Sequence, residues 1–205
     1  MTRIITDISV SLDGFATRPG PSPDNGPGTR GEAVHTWAVS DDPSDRWVLR
    51  EGSARPGTVA LGHLFDVVDG PKGWHDTPCY GAGEVEKPSF AVVTSSPPQS
   101  VRTTNRDCTS VTIGLPDAVP AAHEPAEAAE ASDSAKNLDV IPMGGGATIG
   151  SALEAGLVDA LTLHLAPIVP DTRTPVSTGE VPRTPVQHSV TSTPTATHLT
   201  YDFSR

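Results

Sequence analysis

Hydrophobic and polar positions alternate along this chain in runs of strand length. In IITDISVSL, residues 4–12, Ile4, Thr6, Ile8, Val10 and Leu12 fall on one face by period-two alternation. TVALG (58–62), FAVVT (90–94), SVTIG (110–114) and LDVIPM (138–143) are further runs of that size. DALTLHLAPIV (159–169) sets Leu161, Leu163 and Leu165 against Thr162 and His164, so His164 reads as a strand-face histidine. VQHSVTS (186–192) and ATHLTYDF (196–203) read as a terminal hairpin interrupted by Pro194.

Helical signals lie between these runs. DPSDRWVLREG (42–52) predicts a helix with Asp42 or Ser44 near its start and Gly52 beyond its end. EPAEAAEASDSAKN (124–137) has an early Pro, acidic first turns and many alanines, which suits a solvated helix. TIGSALEAG (148–156) is a short helix with Ile149 and Leu153 on one face and Gly156 at its C-terminal stop. The Pro- and Gly-rich stretch PGPSPDNGPGTRG (19–31) is a surface loop. Strands alternating with helices predict an α/β fold, with a largely parallel sheet and an antiparallel C-terminal hairpin.

Length and charge narrow the function classes. At 205 residues, a single domain over 1–205 is expected. A formal net charge of −11 opposes general binding to nucleic acid or anionic membranes. MTRIITDISV has neither the charged leader nor the apolar core of a signal peptide, and the apolar runs are strand-sized, so a soluble, cytoplasmic protein is expected. Cys79 and Cys108 lack metal-knuckle spacing and read as reduced structural thiols, with one bridge left open. Neither a Gly-x-Ser-x-Gly elbow nor a His-Glu-x-x-His pair occurs, and His63, His75 and Asp76 are not spaced as a ligand set, so no metal is expected.

Chemistry concentrates at Gly144, Gly145 and Gly146, which stand between a strand and a helix. Such a turn lets backbone approach a ligand closely and offers helix N-terminal amides to a phosphate. It also suits a purely structural turn, and it is neither a Walker loop nor a Gly-x-Gly-x-x-Gly fingerprint.

Taken in order, SLDG (11–14), GEAVHTW (31–37), GHLFDVVDG (62–70), FAVVTSSPP (90–98), PMGGGATIGSALEAGLVDALTLHLAPIV (142–169) and ATHLTYDF (196–203) resemble the dihydrofolate-reductase-like superfamily. The branch is the one similar to the reductase domain of the riboflavin-biosynthesis deaminase/reductase, and the resemblance runs nearly end to end. It implies a three-layer fold, a mostly parallel sheet of eight or nine strands flanked by helices, that binds NADPH or NADH, often as a homodimer. It places Gly144, Gly145 and Gly146, with the amides of Ala147 and Thr148, at the cofactor pyrophosphate. Thr94, Ser95 and Ser96 match the adenosine-side loop, and Leu61, Gly62 and His63 stand at another cofactor-contacting strand end. Asp13, the candidate catalytic residue, and Gly14 would border the nicotinamide and substrate pocket, with His35 and Trp37 in a loop covering it. Residue by residue a plainer reading stands alongside: Asp13 as an Asp-Gly turn residue, Trp37 as a packing aromatic.

This chain departs from the pattern in three places. His63 stands where many relatives place an Arg able to pair with the 2′-phosphate of NADPH. PIVPDTRTPVSTG (167–179) replaces a glycine-rich turn and an Arg-Leu-Phe-like stretch. No proton donor accompanies Asp13. The implied activity is hydride transfer to a C=N, C=O or conjugated bond of a small, heterocyclic molecule, with Asp13 or water as proton source. The alternatives are a cofactor-free enzyme of secondary metabolism on the same fold (cyclisation, isomerisation or dehydration) and a small-molecule binding or resistance protein.

Overall fold

The computed structural model describes residues 3–17, 31–71, 88–102, 107–114, 139–169, 174–176 and 184–203, with single positions at 22, 24, 73, 81, 83, 85 and 118. The predicted helix over 124–137, Cys79, His75 and Asp76 lie outside the described residues.

Ten strands are described: β1 (Ile5–Ser11), β2 (Phe15–Thr17), β3 (Pro56–Leu61), β4 (Ser89–Val93), β5 (Cys108–Val111), β6 (Asp139–Met143), β7 (Ala160–Ala166), β8 (Thr174–Pro175), β9 (Val186–Ser192) and β10 (Thr197–Asp202). The helices are a 3-10 helix (Gly31–Val39), α1 (Pro43–Ser53), α2 (Leu64–Val68) and α3 (Gly146–Glu154). One four-stranded sheet runs β5-β4-β3-β6 and another β1-β7-β10-β9, with β2-β8 as a separate ribbon. Every pairing from β5 to β6 is parallel, as is β1 with β7, whereas β10 pairs antiparallel with both β7 and β9.

A parallel bridge, Ile4↔Val140, joins the two sheets, and the Val140 amide donates to the Arg3 carbonyl at 2.9 Å. Charges fasten this junction. The Arg3 and Arg55 side chains meet Asp202 and Asp139, and Asp159 accepts from the Ile4 amide at 2.9 Å. Strand order across the joined sheet is therefore β5-β4-β3-β6-β1-β7-β10-β9, the mostly parallel arrangement with an antiparallel C-terminal hairpin that the alternation predicts.

Local chemistry explains the helix ends. Asp42 caps α1 by accepting from the Ser44 amide at 2.8 Å, with Pro43 in the first turn. The helix continues through Gly52 to Ser53, one residue past the predicted stop. At the end of α3, Gly156 adopts φ 69°, while the amides of Gly156 and Leu157 return to Leu153 and Ala152, a Schellman motif. Pro194 lies in the β9–β10 turn rather than inside a strand, with the Thr193 amide donating to Ala196.

Three predictions change on folding. β1 is buried on both faces, because it is an inner strand of a covered parallel sheet; Leu12 leaves the alternation and is exposed in the turn that follows. β5 begins two residues before the predicted run. The segment expected as a loop around His35 and Trp37 is the 3-10 helix, packed on β1 and β7.

Candidate functional site at the strand ends

Parallel pairing places the C-terminal ends of β1, β3, β4 and β6 along one edge, where ligands of open α/β sheets bind. Four predicted groups lie there: Asp13 and Gly14 after β1, Leu61 to His63 at β3, Thr94 to Ser96 after β4, and Gly144 to Thr148 after β6. Leu61 pairs with Met143 across the sheet, so Gly62 and Gly144 leave it side by side.

A cavity of about 290 Å³ opens at the ends of β3, β4 and β5. Gly62, His63 and Asp66 line one wall and Thr94, Ser95 and Ser96 another, with Thr112 and Gly114 beyond. Thr94 shapes its turn locally, its hydroxyl accepting from the Ser96 amide and donating to the Ser96 carbonyl, each at 3.1 Å. A Cβ placed on Gly62 would meet nothing within 4 Å, so this glycine faces open space. The side chain of Leu61 points instead into the core, with Val59, Phe90 and Val92.

The glycine turn is crowded by the protein itself. A Cβ on Gly146 would lie 1.9 Å from the Pro175 carbonyl oxygen, because β8 crosses directly over it. On Gly144 a Cβ would collide with the Thr148 side chain at 2.5 Å. Both glycines thus have a packing reason, whereas Ala147 remains exposed at the start of α3. The altered segment after β7 is what brings Pro175 there.

Asp13 is exposed and held by its turn. The Ser11 hydroxyl donates to Asp13 Oδ1 at 2.6 Å, the Gly14 amide donates to the Ser11 carbonyl, and Gly14 adopts φ 83°, a value open to glycine at no steric cost.

His35 and Trp37 stand apart from the cavity. His35 lies on the 3-10 helix, where desolvation first and then the neighbouring His164 hold its imidazole below the ordinary pKa, against the opposing pull of Asp7 and Glu32. Trp37 is buried, its indole N–H donating to Ser9 Oγ at 3.0 Å and its ring stacked on His164 at 4.0 Å. Beneath it lies a polar cluster invisible in the alternation. His164 Nε2 is 2.8 Å from Asp7 Oδ1, and its Nδ1 is 2.6 Å from His198 Nδ1.

A carboxylate only accepts, so His164 carries its proton on Nε2 and takes the Nδ1 proton of His198. His198 Nε2 is then bare, 3.4 Å from Thr193 Oγ1 and 4.0 Å from Oδ1 of Asp45. Asp45 is fully buried on α1; Oδ2 accepts from Thr195 at 2.8 Å, and among the described residues Oδ1 has no hydrogen-bond partner. Burial, then the imidazole of His164, pushes the pKa of His198 down to about 4, so it is neutral near pH 7. Burial acts to raise that of Asp45, but the hydroxyls of Thr193, Ser40 and Thr195 outweigh it and hold the carboxyl below its ordinary value. The signal available in the sequence was period two alone: Asp7 and Ser9 on β1, His164 on β7 and His198 on β10 share a face only once the register is known.

No family model and no curated protein matches the sequence. Solved structures do. A protein named for riboflavin biosynthesis from Shewanella sp. PV-4 superposes with TM-score 0.63 at 18% identity, covering 100% of both chains. A pyrimidine reductase-like protein from Corynebacterium diphtheriae gives 0.53 at 14%, covering 100% of this chain and 92% of that one. The deaminase/5-amino-6-(5-phosphoribosylamino)uracil reductase from Thermotoga maritima gives 0.59 at 12%; the match covers 99% of this chain but 57% of that longer one. The chain has the dihydrofolate-reductase-like fold of these structures.

Proposed function

We propose that the protein is a nicotinamide-dependent reductase that transfers a hydride to a C=N, C=O or conjugated bond of a small heterocyclic molecule. The observation that carries this reading is the convergence, on one edge of the sheet, of the β3–β5 cavity, the glycine turn after β6 and Asp13 after β1. Fold-level analogy to reductase-type neighbours supports it.

The donor set suits such a cofactor unevenly. The cavity at Gly62 and the hydroxyl-rich 94–96 turn fit an adenosine, with open space where a side chain would intrude. At the turn after β6, Pro175 and Thr148 fill the space beside Gly146 and Gly144, so a pyrophosphate would rest on the amides near the exposed Ala147. When bound, the dinucleotide supplies the hydride. The chain's part would be to bring cofactor and substrate together at this strand edge, with Asp13, fixed by Ser11, placed to hold or pass a proton at its carboxylate directly or through water.

Calorimetric titration of the dialysed protein with NADH and NADPH tests this. Saturable one-to-one binding, lost in Gly145→Asp, is the expected result. A second reading is favoured by the crowding at Gly146: an enzyme of the same fold that acts without a nicotinamide cofactor. Absence of binding at millimolar nucleotide, together with turnover of a small molecule by the cofactor-free protein, would favour it.

A further inference from the structure

We infer that the β3–β5 cavity selects a dinucleotide whose adenosine ribose carries a free 2′-hydroxyl, NADH rather than NADPH, and that Asp66 is the residue that selects it. This rests on the reductase reading and assigns the cofactor class of the same site.

His63 and Asp66 are three residues apart at the start of α2, a spacing that puts both on one side of the helix, and both line the cavity. Opposite them are the hydroxyls of Thr94, Ser95 and Ser96. Among the described residues lining the cavity there is no Lys or Arg, and Asp66 is the carboxylate. A ribose 2′-hydroxyl is a donor, and a carboxylate receives it in a charge-assisted hydrogen bond.

A 2′-phosphate brings two negative charges and only acceptor oxygens. Beside Asp66 it finds like charge, and among the described lining residues only neutral hydroxyls rather than a fixed cation to offset it, while the chain's net −11 adds to the repulsion. His63 is exposed, caps nothing with its side chain, and as an imidazole offers a phosphate a fixed charge only when protonated. The wall that would need a guanidinium for NADPH carries a group of opposite sign.

The test is calorimetric titration of the full chain with NADH and with NADPH near pH 8, in wild type, Asp66→Asn and Asp66→Arg. Asp66 is exposed, so neither substitution disturbs the core; near-ultraviolet circular dichroism checks this. Wild type should bind NADH at least about tenfold more tightly than NADPH. Asp66→Asn should weaken NADH several-fold with a much smaller effect on NADPH, and Asp66→Arg should reverse the preference. Equal or tighter NADPH binding in wild type, or a preference unchanged in Asp66→Arg, would overturn the assignment and leave the reductase reading standing. Failure of wild type to bind either nucleotide at millimolar concentration would overturn both.

Discussion

The β5-β4-β3-β6 half of the sheet and the β1-β7-β10 half alternate with the same period but fill one face with opposite chemistry. In the first half, Val59, Leu61, Phe90, Val92 and Ile141 meet Phe65 and Val68 of α2, and Ala60, Ala91 and Val140 meet Ile4 behind. In the second, Ile8, Val10 and Leu161 pack on Ile149 of α3, but the other face carries Asp7, Ser9, His164 and His198 under Trp37 and Asp45. An apolar face gains from any close neighbour in proportion to area; a polar face holds only if each donor finds its acceptor. The first half therefore tolerates imprecision that the second does not.

Trp37 gives the largest contrast. Trp37→Ala removes the ring stacked on His164 and leaves Ser9 without its donor, and is expected to cost ~3–5 kcal/mol in urea unfolding. Trp37→Phe keeps an aromatic over His164 but not the N–H, and should still cost about 1–3 kcal/mol, since the Ser9 hydroxyl stays buried. A Phe variant as stable as wild type would mean that the polar face behaves like the apolar one, and the comparison would break.

Acid separates the halves by sign. His198 is depressed to about 4 in the folded chain, against an ordinary 6.5, so between those values the unfolded chain holds a proton that the folded chain does not. Stability is full above the unfolded value and is lost as pH falls from 6.5 toward 4, by on the order of 3 kcal/mol. Asp45, also depressed, adds loss in the same direction at lower pH. At the junction on the other half, burial raises the pKa of Asp139 against the opposing pull of Arg55, so its contribution strengthens as pH falls below its folded value. His198→Gln should flatten the decline between pH 6.5 and 4, and Asp139→Asn should leave that window steep. Urea midpoints near pH 7, 5.5 and 4.5 check both, and an unchanged slope in His198→Gln would remove the cluster as its source.

The alternation made the strand order legible as a class, because parallel strands buried on both faces read as short apolar runs whatever their neighbours. It also led to Gly156, whose helix-stopping role is local. What it hid depends on register. Asp45 looks like an ordinary first-turn acid of α1, and only the β9–β10 turn, bringing Thr193 and Thr195 against it, buries the charge. Trp37 looked like a loop aromatic because its partners, Ser9 and His164, come from strands remote in sequence that pair side by side. At the candidate site, strand-end residues were readable from strand boundaries, whereas Asp66 was not, since it needs α2 to turn it toward the cavity.

Two glycines at neighbouring strand ends give the smallest and sharpest test. Gly146 and Gly62 both look like cofactor glycines in the sequence, yet the fold surrounds them differently. A methyl on Gly146 meets the Pro175 carbonyl, a backbone group that cannot swing away, so Gly146→Ala must displace β8 and should cost ~1–3 kcal/mol. A methyl on Gly62 enters open space, so Gly62→Ala should change stability by no more than about 0.5 kcal/mol. If the cavity holds an adenosine, that same Gly62 methyl intrudes on it and weakens nucleotide binding in calorimetry. A Gly62→Ala variant that is stable and binds as wild type would move the ligand away from this wall, and a Gly146→Ala variant that is stable would show that β8 yields. The pair thus separates a glycine required by packing from one that leaves room for a ligand.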